Sequence, residues 1–298
     1  MTFKFQYSIF VPVNNISKQK IEFIGKSEEN LKTEVKKMQD ALLALILSSY
    51  LTKFSTTQGN LRFSGSNLSR VSINSIFKEF NKKYQIPLLQ GLVTDLFKIN
   101  KFHSEYFMEI ASSAEILKIT NQLKFLYTKL GISKGAIVKG GWLGNVVESA
   151  AIKDELQRYV INSLSQGKSL TEFAKGFEEI VVGSGEKSGI LQKYYNQYVY
   201  DTYMQFERTG NNFYADKLGL NYFFYTGGLI ETSREFCIKR DGKLFSRDDA
   251  KTWKNDVSLP QPSTKESYNP LIELGRWNCR HHLEWISDEA AKKYKSGK

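Results

Sequence analysis

The chain is poor in the residues that most often carry chemistry. Only two cysteines, Cys237 and Cys279, and three histidines, His103, His281 and His282, occur in 298 residues. Two cysteines make no disulfide framework of the secreted kind, so a reducing compartment is expected. Long apolar runs are absent as well. The longest, "ALLALILSSYL" from Ala41 to Leu51, is 11 residues with two serines, short of the roughly 20 needed to span a bilayer, and reads as a buried helix. No basic stretch followed by an apolar core and a small-residue cleavage site opens the sequence, so a secretory signal is not expected. The Gly-rich segment "GISKGAIVKGGWLGN" has five glycines in 15 residues, but no Lys-Ser/Thr follows in phosphate-loop spacing, and a linker is the simpler reading.

What is present is a globular composition, 41% hydrophobic, enough to bury a sizeable core in one or two domains. The net charge of +11 is unevenly placed: residues 1–150 hold 20 Lys+Arg against 11 Asp+Glu (+9), residues 151–298 hold 22 against 20 (+2). A basic N-terminal half attracts phosphate polyanions; a solubilising lysine face would look the same.

Apolar periodicity gives mostly helices. "FKFQYSIFV" near the start alternates like a strand or an extended arm. From Ser27, placed as an N-cap, Leu31, Val35, Met38, Leu42, Leu45 and Ile46 form one helical stripe. Thr56–Ser69 reads as a loop, Val71–Tyr84 as a helix, and Pro87 as the start of another reaching Met108. Leu117–Leu130 is helical and stopped by Gly131. Helices follow through "IKDELQRYVINSLSQG" and, behind a Ser169/Glu172 capping box, through Phe173, Phe177, Ile180 and Val181. A long aromatic stripe comes next, with Tyr194, Tyr198, Phe206 and Phe213. After Gly219 the texture changes: "LNYFFYTGG" reads as a strand, "TSREFCIKR" as a short helix, "RDGK" as a turn, "SRDDAKTW" as a capped helix, and "RHHLEWIS" as a strand after a Pro-bearing loop. The expected class is α+β, predominantly helical: a basic helical region over 1–131, a Gly-rich joint over 132–149, and over 150–298 a module of helices packed on a small β-sheet.

Three of the five cysteine and histidine side chains fall within "CRHH", Cys279 to His282. Zinc sites take four ligands, often as two close pairs; Cys237, Cys279, His281 and His282 are the candidates, with Asp241 able to complete a set. A disulfide requires Cys237 and Cys279 to bring their Cα atoms within about 7 Å; a packed thiol pair and a Cys–His nucleophile are the remaining readings. Around Cys237, the residues Glu231, Arg234, Glu235, Arg240 and Asp241 suggest a buried ionic network, or a cleft lined by Glu231 and Arg234.

Read in order, "GKSLTEFAKGF", "YDTYMQFERTGNNFYADKLGL", "YFFYTGGLIETSREFCIKRDGKLFS" and "GRWNCRHHLEWI" resemble the C-terminal head-morphogenesis domain of minor head proteins of tailed bacteriophages, the family typified by the phage Mu F protein. Its aromatic strand end, "T-S/T-R-x-x-C" turn, Gly turn and closing "N-C-R" element fall on Tyr225, Gly227, Thr232, Ser233, Arg234, Cys237, Asp241, Gly242, Asn278, Cys279, Arg280 and His281. The resemblance covers residues 150–298. Many members end in "P-x-H-x-x-C-R-C"; here the upstream His is missing and His281 stands in place of the last Cys.

The resemblance implies a non-enzymatic structural protein of the virion head, made in the host bacterial cytoplasm. It implies a role in head assembly at the portal vertex or inner capsid, with the portal protein or major capsid protein as partner. Packaged double-stranded DNA is a further partner for the basic half. No membrane partner and no obligatory cofactor are expected, zinc being the one candidate ion. The competing reading is an enzyme built on the same module, a nucleotide-using transferase or Cys-dependent hydrolase, which requires Cys279, His282 or Glu231 to be accessible in a cleft.

Overall fold

In the computed structural model, residues 14–51, 56–57, 59–61, 73–198, 200–260, 268–276 and 278–297 are described. Helix α1 (Asn15–Leu51) is followed by a short hairpin of β1 (Thr56–Thr57) and β2 (Asn60–Leu61). Then come α2 (Ile73–Phe80), α3 (Ile86–Phe107), α4 (Ser113–Gln122) and α5 (Lys124–Lys129). A second hairpin, β3 (Ile132–Ser133) and β4 (Ala136–Ile137), leads to α6 (Trp142–Glu148), α7 (Ala150–Ser165) and α8 (Leu170–Val181). A third, β5 (Gly183–Ser184) and β6 (Lys187–Ser188), leads to α9 (Ile190–Tyr198) and α10 (Tyr200–Lys217). The rest holds β7 (Tyr222–Thr226), α11 (Glu235–Ile238), β8 (Lys243–Ser246), α12 (Arg247–Thr252), β9 (His282–Ile286) and α13 (Asp288–Ser296). The class is α+β and predominantly helical. No described helix is long and apolar enough to cross a membrane.

Several boundaries differ from the sequence reading, each for a local reason. α1 begins at Asn15, so Ser27 is a buried interior residue and not a cap. Its buried stripe runs Ser17, Lys20, Ile24, Ser27, Glu28, Leu31, Val35, Met38, Leu42 and Ile46; the early members are polar, which hides the period from an apolar count. The helix read from Pro87 is α3, which begins one residue earlier at Ile86 and ends at Phe107. A wide π turn over Asn81–Gln85 joins α2 to α3, which accommodates a ring that would clash with the carbonyl four residues back. The Gly-rich segment is folded: Gly131, at φ +76°, approaches Gly141 so closely that a Cβ on it would stand 2.6 Å from the Gly141 Cα. The capping box at Ser169 and Glu172 is present. In the aromatic stripe, Tyr195, Tyr203, Phe206 and Tyr214 are buried, while Tyr194 and Phe213 are half-exposed. The Phe3–Val11 arm and most of the Thr56–Ser69 loop lie outside the described residues.

Two compact units emerge, and neither is contiguous in sequence. Unit 1 takes residues 1–25, 96–126 and 201–298; unit 2 takes 26–95 and 127–200. α1 and α3 each contribute to both. Unit 2 is helical, with a core that includes Leu42, Phe77, Leu89, Leu156, Phe173 and Phe177. Two interior amides tie its elements together: Gln39 Oε1 accepts the Gln192 N–H at 2.9 Å, and Gln85 Nε2 donates to Ser149 Oγ at 2.9 Å.

Unit 1 holds the sheet, in order β8-β7-β9 and antiparallel throughout. Central β7 pairs Tyr225 with Lys243 on one side and Leu283 on the other, and Phe223 with Phe245 and Trp285. Because Phe223–Thr226 are all buried, both faces of β7 are covered, which is why it reads as an unbroken apolar run instead of alternating. On one face Trp253 packs edge-on against Phe223, Tyr225, Phe236 and Phe245. The strand β8 and the closing α13 were not foreseen from the sequence.

Candidate functional site: a buried Cys2His cluster

Three devices deliver the cluster. α11, a single turn begun at Arg234, carries Cys237; its N–H bonds the Arg234 carbonyl at 2.9 Å. β7 ends at Tyr225 and Thr226 and passes into Gly227, where a Cβ would meet the His281 Cα at 2.7 Å. The loop before β9 carries Cys279 and His281 through three non-glycine residues in the left-handed region, Leu274 (φ 49°), Arg276 (φ 65°) and Asn278 (φ 57°). Such residues store strain and persist only where surrounding structure holds them. Gly275 lies inside this loop, and a Cβ there would stand 2.6 Å from Cys237 Sγ and 3.1 Å from Cys279 Sγ.

The result is a compact constellation. Cys237 and Cys279 are free thiols with Sγ atoms 3.8 Å apart. His281 Nδ1 lies 3.7 Å from Cys279 Sγ. The three potential ligand atoms all lie within 4.8 Å of one another, and all three residues are buried. The Tyr225 hydroxyl is 3.4 Å from Cys237 Sγ and 3.7 Å from Cys279 Sγ, and its ring lies against the imidazole at 4.8 Å. On the far side of the ring, His281 Nε2 faces Asp241 Oδ1 at 3.4 Å, and that oxygen accepts the Gly228 N–H at 3.1 Å.

The electrostatics follow from this packing. Its hydrogen bond to Cys279, with burial, pushes the Cys237 thiol up. The same hydrogen bond, helped by Arg208 and His281 and opposed by burial, draws Cys279 well down. Burial works against the His281 imidazolium, but the bonds to Asp241 and Cys279 outweigh it and raise its pKa. Cys279 is thus the more acidic of the two sulfurs, and the His281 imidazole stands beside it.

Of the remaining signature residues, Gly242 and Arg234 brace this centre. Gly242, at φ 73°, donates its N–H to the Tyr225 carbonyl at 2.8 Å. Arg234 Nη1 donates to the Gly275 carbonyl at 2.9 Å, tying α11 to the loop. Ser233 Oγ accepts the Ile230 N–H at 2.8 Å. Thr232 and Asn278 are exposed and Arg280 is half-buried.

Two sequence expectations are corrected. His282 does not join the cluster: along the strand successive side chains take opposite faces, and its Nε2 lies 3.0 Å from Thr226 Oγ1 and 3.3 Å from Ser17 Oγ. The charged set around Cys237 is not one buried network either. Glu231 is exposed, Glu235 pairs with Lys239 at the surface, and only Arg240 is buried. Arg240 bonds Asp256 at 2.6 Å and stacks on Phe236 and Trp253.

Two contributions escaped sequence reasoning. Arg208, on α10, donates through Nε to the His281 carbonyl at 3.1 Å and through Nη2 to the Cys279 carbonyl, clamping the strained loop. Three residues on, Asn211 donates to the Leu283 carbonyl at 2.6 Å. The second is a buried ionic group behind β9. Lys20 pairs with Glu207 at 2.7 Å, His103 Nε2 lies 3.7 Å from Glu207, and His282 Nε2 lies 3.7 Å from Glu284. Lys20 and His103 hold the Glu207 carboxyl far below its usual range against the cost of burial. Burial, with Lys20, depresses His103 to about 4, so it is neutral at pH 7.

Comparison with protein families, curated proteins and solved structures finds no match to this chain.

Proposed function

We propose that the chain is a structural minor head protein of a tailed phage. In this reading it acts in head assembly at the portal vertex or inner capsid, residues 201–298 form the core of a docking unit, and the basic N-terminal half faces packaged DNA or an acidic partner. The observation that carries the reading is the meeting of the two halves of the signature. "TSREFC" and "NCRHH", 42 residues apart between their cysteines, converge on one buried centre. Residues that hold a fold closed are what a signature shared by assembly proteins would select. The reading is tested by mass spectrometry of heads purified from the phage or induced prophage encoding the chain: a few copies per particle support it. Absence from both heads and assembly intermediates contradicts it.

A second reading is favoured by one feature. Cys279, His281 and Asp241 stand in relay, with gaps of 3.7 and 3.4 Å, the arrangement of a nucleophile, its base and an orienting carboxylate. Against it, Cys279 is 5% exposed, so a substrate would have to open the module. Rapid stoichiometric alkylation of Cys279 in the native, reduced protein would favour the hydrolase; protection until denaturation favours the structural role.

A further inference from the structure

We infer that Cys237, Cys279 and His281 bind one zinc ion, with the Tyr225 hydroxyl at the fourth corner and Asp241 orienting the imidazole from outside. The inference rests on the cluster's geometry alone and stands or falls separately from the head-protein reading.

A tetrahedral zinc with bonds of about 2.3 Å to sulfur and about 2.0–2.1 Å to nitrogen has S–S edges of about 3.8 Å and S–N edges of about 3.6 Å. The corresponding separations here are 3.8 Å between the sulfurs and 3.7 Å from Cys279 Sγ to His281 Nδ1. Two thiols in simple contact would stand as far apart, so the sulfurs alone decide nothing. The imidazole does. Its Nδ1 points at the thiols while Nε2 faces a carboxylate at 3.4 Å, the outer-sphere arrangement that fixes tautomer and orientation in metal-bound histidines. Asp241 is itself positioned by the Gly228 N–H.

Charge points the same way. Two thiolates neutralise a divalent ion, so two cysteines with a neutral imidazole hold it in the interior without a buried net charge. Thiolate and imidazole donors select a soft or borderline ion and exclude magnesium and calcium. The site is also shaped for sulfur ligands: Gly275 leaves room where any side chain would strike both sulfurs, and Arg208 and Arg234 hold the loop that brings Cys279 in. Metal-binding energy would offset the strain of the three left-handed residues in that loop.

The test uses the full chain, purified under reducing conditions, stripped with a chelator and titrated with cobalt(II). The expected result is saturation at one equivalent, with the ligand-field bands of tetrahedral cobalt and a thiolate-to-cobalt charge-transfer band, both abolished by one equivalent of zinc. Because the chain has only two cysteines, that charge-transfer band can arise from no other residues, so the wild-type protein decides the question even if Cys237→Ser or Cys279→Ser fails to fold. His281→Cys is expected to keep the tetrahedral spectrum and His281→Ala to lose it. Asp241→Asn should weaken affinity about 10- to 100-fold. Three results would overturn the assignment: octahedral cobalt without charge transfer, two thiols that stay freely titratable at saturating metal, or a mass two units low that shows a disulfide.

Discussion

At the scale of single residues, the cluster is defined by what is excluded as much as by what binds. Gly275→Ala places a methyl group 2.6 Å from one sulfur and 3.1 Å from the other, and overpacking of this kind costs about 1–3 kcal/mol. Urea unfolding should register that loss, whereas an alanine at exposed Gly135, which meets nothing within 4 Å, costs only its positive-φ strain. The buried ion pair behaves differently. Lys20→Met leaves Glu207 charged in the interior without its lysine, at about 3–5 kcal/mol, while Lys20→Met with Glu207→Leu should recover much of that loss. A double-mutant cycle measures the coupling, and additive single losses would refute it.

His103 supplies the pH dependence. Its folded pKa of about 4 lies below the ordinary value of 6.5, so the unfolded chain takes up the proton first as pH falls. The stability is complete above about pH 6.5 and is lost toward pH 4, at about 1.4 kcal/mol per pH unit and about 3 kcal/mol in all. Glu207, whose folded pKa is also depressed, adds loss of the same sign below the usual carboxylate range. Unfolding free energies of wild type and His103→Gln at a series of pH values should converge on acidification; parallel profiles would contradict the argument.

At the scale of elements, legibility followed the source of each signal. The capping box at Ser169, the strand at Tyr222–Thr226 and the capped turn at Ser246 are written in local chemistry and were read correctly. The first three turns of α1 were missed because Ser17 and Lys20 occupy core positions, and a charge in the stripe is explained only by Glu207, 187 residues away. Arg208 was equally invisible: its partners are backbone carbonyls, which leave no sequence trace. In the site, the pairing of Cys237 with Cys279 was legible from the two motifs, but the choice between His281 and His282 depended on where β9 begins. Arg208→Lys keeps the charge but loses the fork that reaches two carbonyls. Hydrogen exchange at residues 275–281 should rise in that variant, with α8 unchanged.

At the scale of the molecule, a cut in the Gly-rich stretch does not separate the compact units. Unit 1 includes Lys20, His103, Tyr106 and Phe107 along with residues 201–298. Tyr106 donates to the Trp285 carbonyl at 2.6 Å, and Phe107 stacks on Tyr214 at 5.1 Å. A fragment of residues 150–298 therefore lacks part of its own core, and it should melt without a cooperative transition where the full chain shows one. The proposed contact of the basic half with DNA belongs at the same scale and must be measured on the full chain, where any retention should fall steeply with salt if phosphate contacts carry it.

The central claim is that the C-terminal signature builds a closed metal centre. Native mass spectrometry of the full chain, isolated without added metal and without chelator, tests it most directly. The account predicts a species heavier than the reduced chain by one zinc ion less the protons displaced, collapsing to the reduced mass on acid denaturation. A native mass equal to the reduced chain, or two units below it, would contradict the claim.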